Sequence, residues 1–182
     1  MKEMERLLEV VEKLRAPDGC PWDREQTHGS LKAACVEEAA EVVCGINILE
    51  KTGSAENLKE ELGDLLLQVV MHAQIAKEEG LFDLEDVAKT ISDKMIRRHP
   101  HVFGETGSPK QSLGADGDAS PDGEALKSLK AATGSPKQSL GASWEEIKKQ
   151  EKAGREWEAD YLPGAMDEAS ELLEVAKKRK GF

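Results

Sequence analysis

Glu37-Glu38-Ala-Ala-Glu41 and, further along, Glu61-Leu-Gly-Asp64 decide how this chain is read. Each cluster lies in a segment with helical periodicity. Glu38 and Glu41 are spaced i, i+3, as are Glu61 and Asp64, so each pair projects from one side of its helix. Carboxylates converging from two antiparallel helices repel one another. A hard divalent cation is the usual physical reason for a fold to tolerate that. The plain alternative is a solvated acidic surface, and it is accepted for Glu56, Glu60, Glu78 and Glu79. Helical geometry puts Glu61, Asp64, Gln68 and His72 in one stripe, with Leu62, Leu65, Leu66, Val69 and Ala73 beside it. The acids thus border an apolar face. Spacing by itself leaves both readings open.

The first cluster sits in a helix expected from Leu31 to about Glu50, with Ser30 as its N-cap. Lys51-Thr-Gly-Ser54 is the turn, and the next helix runs from about Ala55 to Glu79 and stops at Gly80. Upstream, Met4–Leu14 is amphipathic and ends before the turn signal Ala16-Pro17-Asp18-Gly19. Cys20–His28 is expected to be irregular. Downstream, Asp83 caps a helix over Leu84–Arg98, which ends before His99-Pro100. Ser143 caps another over Trp144–Lys152, and a last helix spans Ala165–Lys178 after Leu162-Pro163-Gly164. Lys177-Lys-Arg-Lys180 suits the negative end of a helix dipole and is given no further role. No strand pattern stands out. Short connections between long helices imply an all-α, antiparallel helix bundle.

At 182 residues the chain suits one domain with appendages. Hydrophobic residues make up 38% and aromatic residues 4%, so the core must be aliphatic. A net charge of −11 argues against a nucleic-acid binder or an anionic-membrane binder. A small phosphorylated ligand bridged by a cation remains compatible with it. Three cysteines without a Cys-x-x-Cys indicate neither a disulfide framework nor a zinc site. Cys35 and Cys44 are expected in the core. Met1–Glu12 is charged throughout, unlike a signal peptide, and no apolar run approaches membrane-spanning length. The expected location is cytoplasmic.

From Gly104 to Ala142 the composition turns to Gly, Ser, Pro, Ala and Asp, and Thr106–Ala115 recurs as Thr133–Ala142. Two copies with unrelated sequence between them suit an expanded linker better than a solenoid. A mobile loop is expected there, with a short helix at Glu124–Ala132. The expected plan is a helical domain over 1–104, a linker over 105–142, and helices over 143–182 that complete the same domain.

Carboxylates without thiols favour Mg²⁺ or Mn²⁺. A di-iron bundle would want Glu-x-x-His, and His72 stands eight residues after Asp64. Lys94 and Arg98 are spaced i, i+4 with Arg97 beside them. Three cations near an acidic metal site would suit a polyphosphate; a solvated helix end accounts for them equally well. His99 and His101 could contact phosphate or serve as turn residues.

Leu14-Arg-Ala-Pro-Asp-Gly-Cys-Pro-Trp-Asp-Arg-Glu-Gln-Thr27 resembles the N-terminal signature of MazG-type nucleoside triphosphate pyrophosphohydrolases. So do Glu37-Glu-Ala-Ala-Glu41, Glu60-Glu-Leu-Gly-Asp-Leu-Leu-Leu-Gln-Val69 and Asp93-Lys-Met-Ile-Arg-Arg-His-Pro-His-Val-Phe103. Trp144-Glu-Glu-Ile-Lys-Lys-Gln-Glu-Lys152 resembles the family's next block. The resemblance covers most of 1–104 and 143–163. It implies an all-α fold and Mg²⁺-dependent hydrolysis of nucleoside triphosphates to monophosphate and pyrophosphate, by water attack at the α-phosphate. It implies Glu38, Glu41, Glu61 and Asp64 as metal ligands, with Glu37 as a further ligand or water-positioning base. It makes Lys94 and Arg98 phosphate-holding residues and puts Trp144 near the base; Trp22 and Gln26 are further candidates. It also implies a homodimer or higher homo-oligomer. Two features depart from the family: the linker is longer, and some relatives carry two such domains where this chain has one. The competing hypothesis is a non-catalytic binding or regulatory module with the repeat-bearing loop as docking segment. The five acids together with Lys94 and Arg98 favour the enzyme, of broad or house-cleaning specificity. Base choice depends on pocket shape, which sequence does not give.

Overall fold

The computed structural model describes residues 2–103, 149 and 151–181. Within them every regular element is helical and no strand occurs. Helix α1 spans Lys2–Arg15, α2 Pro21–Glu25, α3 Lys32–Thr52, α4 Glu56–Glu78, α5 Leu84–Arg98 and α6 Pro100–Phe103. A 3₁₀ turn, Glu156–Asp160, precedes α7, Leu162–Lys180. The expected all-α fold is the one adopted. No described helix is long and apolar enough to cross a membrane. The repeat, the helix expected at Glu124–Ala132 and Trp144 all lie outside the described residues.

The chain divides into two compact units, Met1–Thr90 with Ala159–Phe182, and Ile91–Glu158. In the first, α3 and α4 form an antiparallel hairpin. Gly53, in the left-handed region at φ 78°, ends α3 and donates its N–H to the Leu49 carbonyl at 2.8 Å. Helix α7 packs on α3, and α1 packs on α2 and α4. Val11, Leu31, Val70, Met71 and Ile75 form the core, flanked by Leu7, Leu8, Leu66, Leu67 and Leu84. It is aliphatic, as the low aromatic content requires.

Periodicity located α5 at its expected limits. Asp83 caps it reciprocally: Asp86 N–H donates to Asp83 Oδ1 at 3.1 Å, and Asp83 N–H to Asp86 Oδ2 at 3.2 Å. Ser30 is not the cap of α3. That helix starts at Lys32, with Leu31 at the cap position and no side-chain cap bond. The Ser30 hydroxyl is engaged within its own turn, donating to Gln26 Oε1 at 2.8 Å and accepting from Thr27 N–H at 2.9 Å. The irregular segment expected over Cys20–His28 contains α2, which begins on Pro21, where a missing N–H costs nothing. The same logic starts α7 at Leu162, ahead of the expected Ala165, with Pro163 in its first turn. Cys44 is exposed and Cys35 half-buried. The side of α3 that meets α4 is centred on Gly45, the one buried residue of that helix, and this turns Cys44 outward.

The signature from Leu14 to Thr27 is a structural knot. A Cβ on Gly19 would come within 2.3 Å of the Leu14 carbonyl oxygen, so only glycine lets this turn lie over the end of α1. The Arg15 guanidinium is buried and doubly bonded to Glu78 at the end of α4, with Nε at 3.0 Å and Nη2 at 2.7 Å. Its Nη1 donates to the carbonyls of Asp23 at 2.6 Å and Gln26 at 3.2 Å. One side chain thus ties α1, α2 and α4. Arg15→Ala is expected to lower stability by about 2 kcal/mol, the range of charged hydrogen bonds discounted because Glu78 faces solvent. For a chain of this size that is a fall of about 4–8 °C in melting temperature, measurable by calorimetry. Arg15 holds the Glu78 carboxyl below its ordinary range, with Gln74 assisting. A carboxylate with a depressed folded pKa stabilises above its unfolded pKa and loses that contribution as pH falls through the folded value. The variant's deficit should therefore shrink on acidification below pH ~4.

Candidate functional site

Helices α3 and α4 meet at Gly45, where an added Cβ would lie 2.8 Å from Leu58 Cα and 3.3 Å from Asn57 Oδ1. The close approach of the two backbones sets the spacing of the acids beyond it, Glu61 one turn after Leu58 on α4 and Glu38 two turns before Gly45 on α3. Glu38, Glu61 and Asp64 each offer a carboxylate oxygen, and these atoms all lie within 4.8 Å of one another. Glu38 and Glu61 are half-buried and Asp64 is exposed. Asn57 Nδ2 donates to Glu61 Oε1 at 2.9 Å and fixes its orientation. Burial raises the Glu38 pKa, and the charges of Asp64, Glu37 and Glu61 raise it further. Three oxygen donors at this separation, one resisting ionisation because of its burial and the acids around it, form a donor set that suits a hard divalent cation.

The other two acids of the first cluster face elsewhere. Glu37 pairs with Arg179 and, at 3.0 Å, with Lys180, and Glu41 pairs with Lys180. Both cations come from the last turn of α7. The Arg179 and Lys180 hydrogen bonds hold the Glu37 pKa below its ordinary value.

Beside the acids runs a second polar string. Cys35 Sγ lies 3.2 Å from His72 Nε2, His72 Nδ1 lies 2.7 Å from His28 Nδ1, and His28 Nε2 lies 3.7 Å from Glu79. Burial lowers the His72 pKa, with His28 adding to the effect, and burial raises that of Cys35. The string pins the turn before α3 onto α4. Gln68, in the same stripe, is buried.

In the second unit, Arg97 and Arg98 both clasp Glu151. Arg97 Nε lies 3.0 Å from one carboxylate oxygen and Arg98 Nε 2.9 Å from the other. The Arg98 bond, with Arg97 assisting, lowers the Glu151 pKa to about 2. Lys94 is half-buried on α5. His99 Nδ1 bonds the Met95 carbonyl at 2.7 Å. In α2, Trp22 is 65% exposed, and Gln26 Nε2 donates to the Trp22 carbonyl at 2.9 Å.

Four participants escaped the sequence reading: Gly45, Asn57, Glu151 and the Arg179–Lys180 pair. A glycine inside a helical pattern signals close backbone approach, and Asn57 stands i−4 from Glu61. Glu151 lies inside the Trp144–Lys152 block, but nothing in its spacing marks it as the partner of Arg97 and Arg98.

The family model for the MazG nucleotide pyrophosphohydrolase domain matches residues 26–103. The chain is 56% identical over 102 residues to the nucleoside triphosphate pyrophosphohydrolase/pyrophosphatase MazG of Thermotoga maritima, covering 56% of this chain and 38% of that protein. It is 36% identical over 181 residues to the nucleoside triphosphate pyrophosphohydrolase of Escherichia coli, covering 98% of this chain and 57% of the relative. Against the protein of that name from Mycobacterium tuberculosis it is 36% identical over 156 residues, 82% of this chain and 46% of the relative. The chain thus spans about half the length of these relatives, or less.

Proposed function

We propose that this chain, whose residues 26–103 match the family model of the MazG nucleotide pyrophosphohydrolase domain, hydrolyses nucleoside triphosphates to monophosphate and pyrophosphate. The observation that carries the proposal is the convergence of Glu38, Glu61 and Asp64 from two helices held together at Gly45. These three residues, with Glu41 by the family pattern, would hold Mg²⁺ or Mn²⁺. When bound there, the ion supplies charge neutralisation for the triphosphate and for the pyrophosphate that leaves.

The chain's own residues do the rest. Glu37, once its pairs with Arg179 and Lys180 open, is a further ligand or orients the water that attacks the α-phosphate and takes up its proton. Lys94, Arg97 and Arg98 hold the phosphates, the arginine forks being pre-oriented by Glu151. Trp144 stacks near the base, and the exposed ring of Trp22 and the amide of Gln26 are further substrate contacts. Residues 1–104 and 143–182 form one domain joined by the 105–142 linker. The working form is a homodimer or higher homo-oligomer, a reading supported by the exposure of Val43, Ile46, Leu62 and Val69 along α3 and α4.

The test is a panel of canonical and modified triphosphates incubated with Mg²⁺, with products resolved by chromatography. Monophosphate plus pyrophosphate is expected across several bases. Diphosphate plus orthophosphate would move the cleavage to the γ-phosphate. No turnover at all would favour a binding module.

A further inference from the structure

The last turn of α7 carries two cations that reach across to α3. Ala169, Leu172, Leu173 and Ala176 are the half-buried residues of α7 at helical spacing, and Arg179 and Lys180 continue that stripe by one turn. At the other end of the same face, Lys32 Nζ bonds Glu168 at 2.9 Å. Charge sign therefore reverses along the packed pair: α3 gives the cation first and the acids second. Gly181, left-handed at φ 84°, caps the helix through the carbonyls of Lys177 and Lys178 and keeps its last turn formed. The helix dipole alone would favour basic residues here. It does not account for two side chains that leave their own helix to meet Glu37 and Glu41.

Glu41 stands one turn beyond Glu38, on the same side of α3. Its carboxylate meets the Lys180 ammonium, while Glu38 meets Glu61 and Asp64. A carboxylate engaged by an ammonium is not free for a metal, and an ammonium at this place repels a dication. We propose that the last turn of α7 is an internal counter-ion for the acidic site, and that its docking on Glu37 and Glu41 competes with divalent-cation binding. The proposal rests on the reading that the acidic cluster holds a divalent cation. Binding of the ion draws Glu41 away from Lys180 and releases the last turn, while the apolar stripe and the Lys32–Glu168 pair keep the body of α7 in place. By linkage the turn weakens metal binding as much as metal weakens the turn.

The experiment is Mn²⁺ titration by electron paramagnetic resonance on the full chain and two double variants of equal charge change. Arg179→Ala with Lys180→Ala removes the two docked cations. Lys177→Ala with Lys178→Ala removes two that do not reach α3. The first variant is expected to bind Mn²⁺ on the order of fivefold more tightly than the parent, and the second within about twofold of it. Hydrogen exchange of the amides over 176–181 is expected to quicken when Mg²⁺ is added to the parent. Equal shifts in the two variants, no tightening in the first, or exchange indifferent to Mg²⁺ would overturn the latch. A parent chain that binds no Mn²⁺ would overturn the metal-site reading itself, and the latch with it.

Discussion

Glu61→Gln and Asp64→Asn are each expected to lower Mg²⁺-dependent triphosphate hydrolysis by at least about a hundredfold. Partners that merely orient a metal ligand already account for 10–100-fold when removed, and these side chains supply donor oxygens themselves. Stability should move the other way. Each substitution removes a negative charge from a cluster in which burial and the Asp64, Glu37 and Glu61 charges all raise the Glu38 pKa. Relieving that repulsion should leave the melting temperature unchanged or raise it by a few degrees, as happens where a site is strained for function. Glu61→Gln keeps an oxygen that can still accept from Asn57 Nδ2, so the hairpin should be undisturbed. The checks are a Mg²⁺-dependent rate titration and calorimetry in the absence of metal. Activity that survives either substitution at unchanged Mg²⁺ dependence would sink the assignment. A joint loss of activity and several degrees of melting temperature would mean instead that the acids are structural.

Much of this was legible because the long helices obey local rules. Alternating apolar faces located α3, α4 and α5, and the Asp83 side chain announced the start of α5. The i, i+3 spacing marked the acids as pairs. Spacing could not say which partners each acid meets. Glu38 and Glu41 share one side of α3, yet Glu38 faces α4 while Glu41 faces α7. That division depends on the angle at which three helices pack. The start of α3 was obscured because the Ser30 hydroxyl is spent on Gln26 and Thr27, a choice made by the preceding turn. Helix α2, at five residues, is too short for periodicity to register. Arg179 and Lys180 are readable as dipole partners from their own helix alone. Their second role needs α3, whose Glu37 lies 142 residues away from Arg179 in sequence. Extending the α7 stripe by one turn would have pointed both side chains toward the apolar face, which is the signal that was available.

Gly45→Ala should destabilise the chain, although alanine is the better helix former. Propensity favours the substitution by about 1 kcal/mol in a helix interior. Against it, the new Cβ would stand 2.8 Å from Leu58 Cα and 3.1 Å from Leu58 N. Those atoms are backbone and cannot rotate away, so α4 must move. Overpacking of that kind costs about 1–3 kcal/mol. Gly63 in α4 supplies the opposite case, with nothing within 4 Å of an added Cβ. Gly63→Ala should therefore raise stability by about the propensity difference, and Gly45→Val should be worse than Gly45→Ala. The consequence for the site is larger than the stability loss suggests. Asn57 and Leu58 lie in the turn of α4 immediately before Glu61, so separating the helices there carries Glu61 and Asp64 away from Glu38. A displacement of a few tenths of an ångström at Leu58 widens the gap between carboxylates that must share one ion. Mn²⁺ affinity should fall by about tenfold or more in Gly45→Val while Gly63→Ala keeps it. Thermal unfolding paired with Mn²⁺ titration across the three variants decides the matter. If Gly45→Val melts with the parent and binds Mn²⁺ equally well, the helix contact does not set the geometry of the acids.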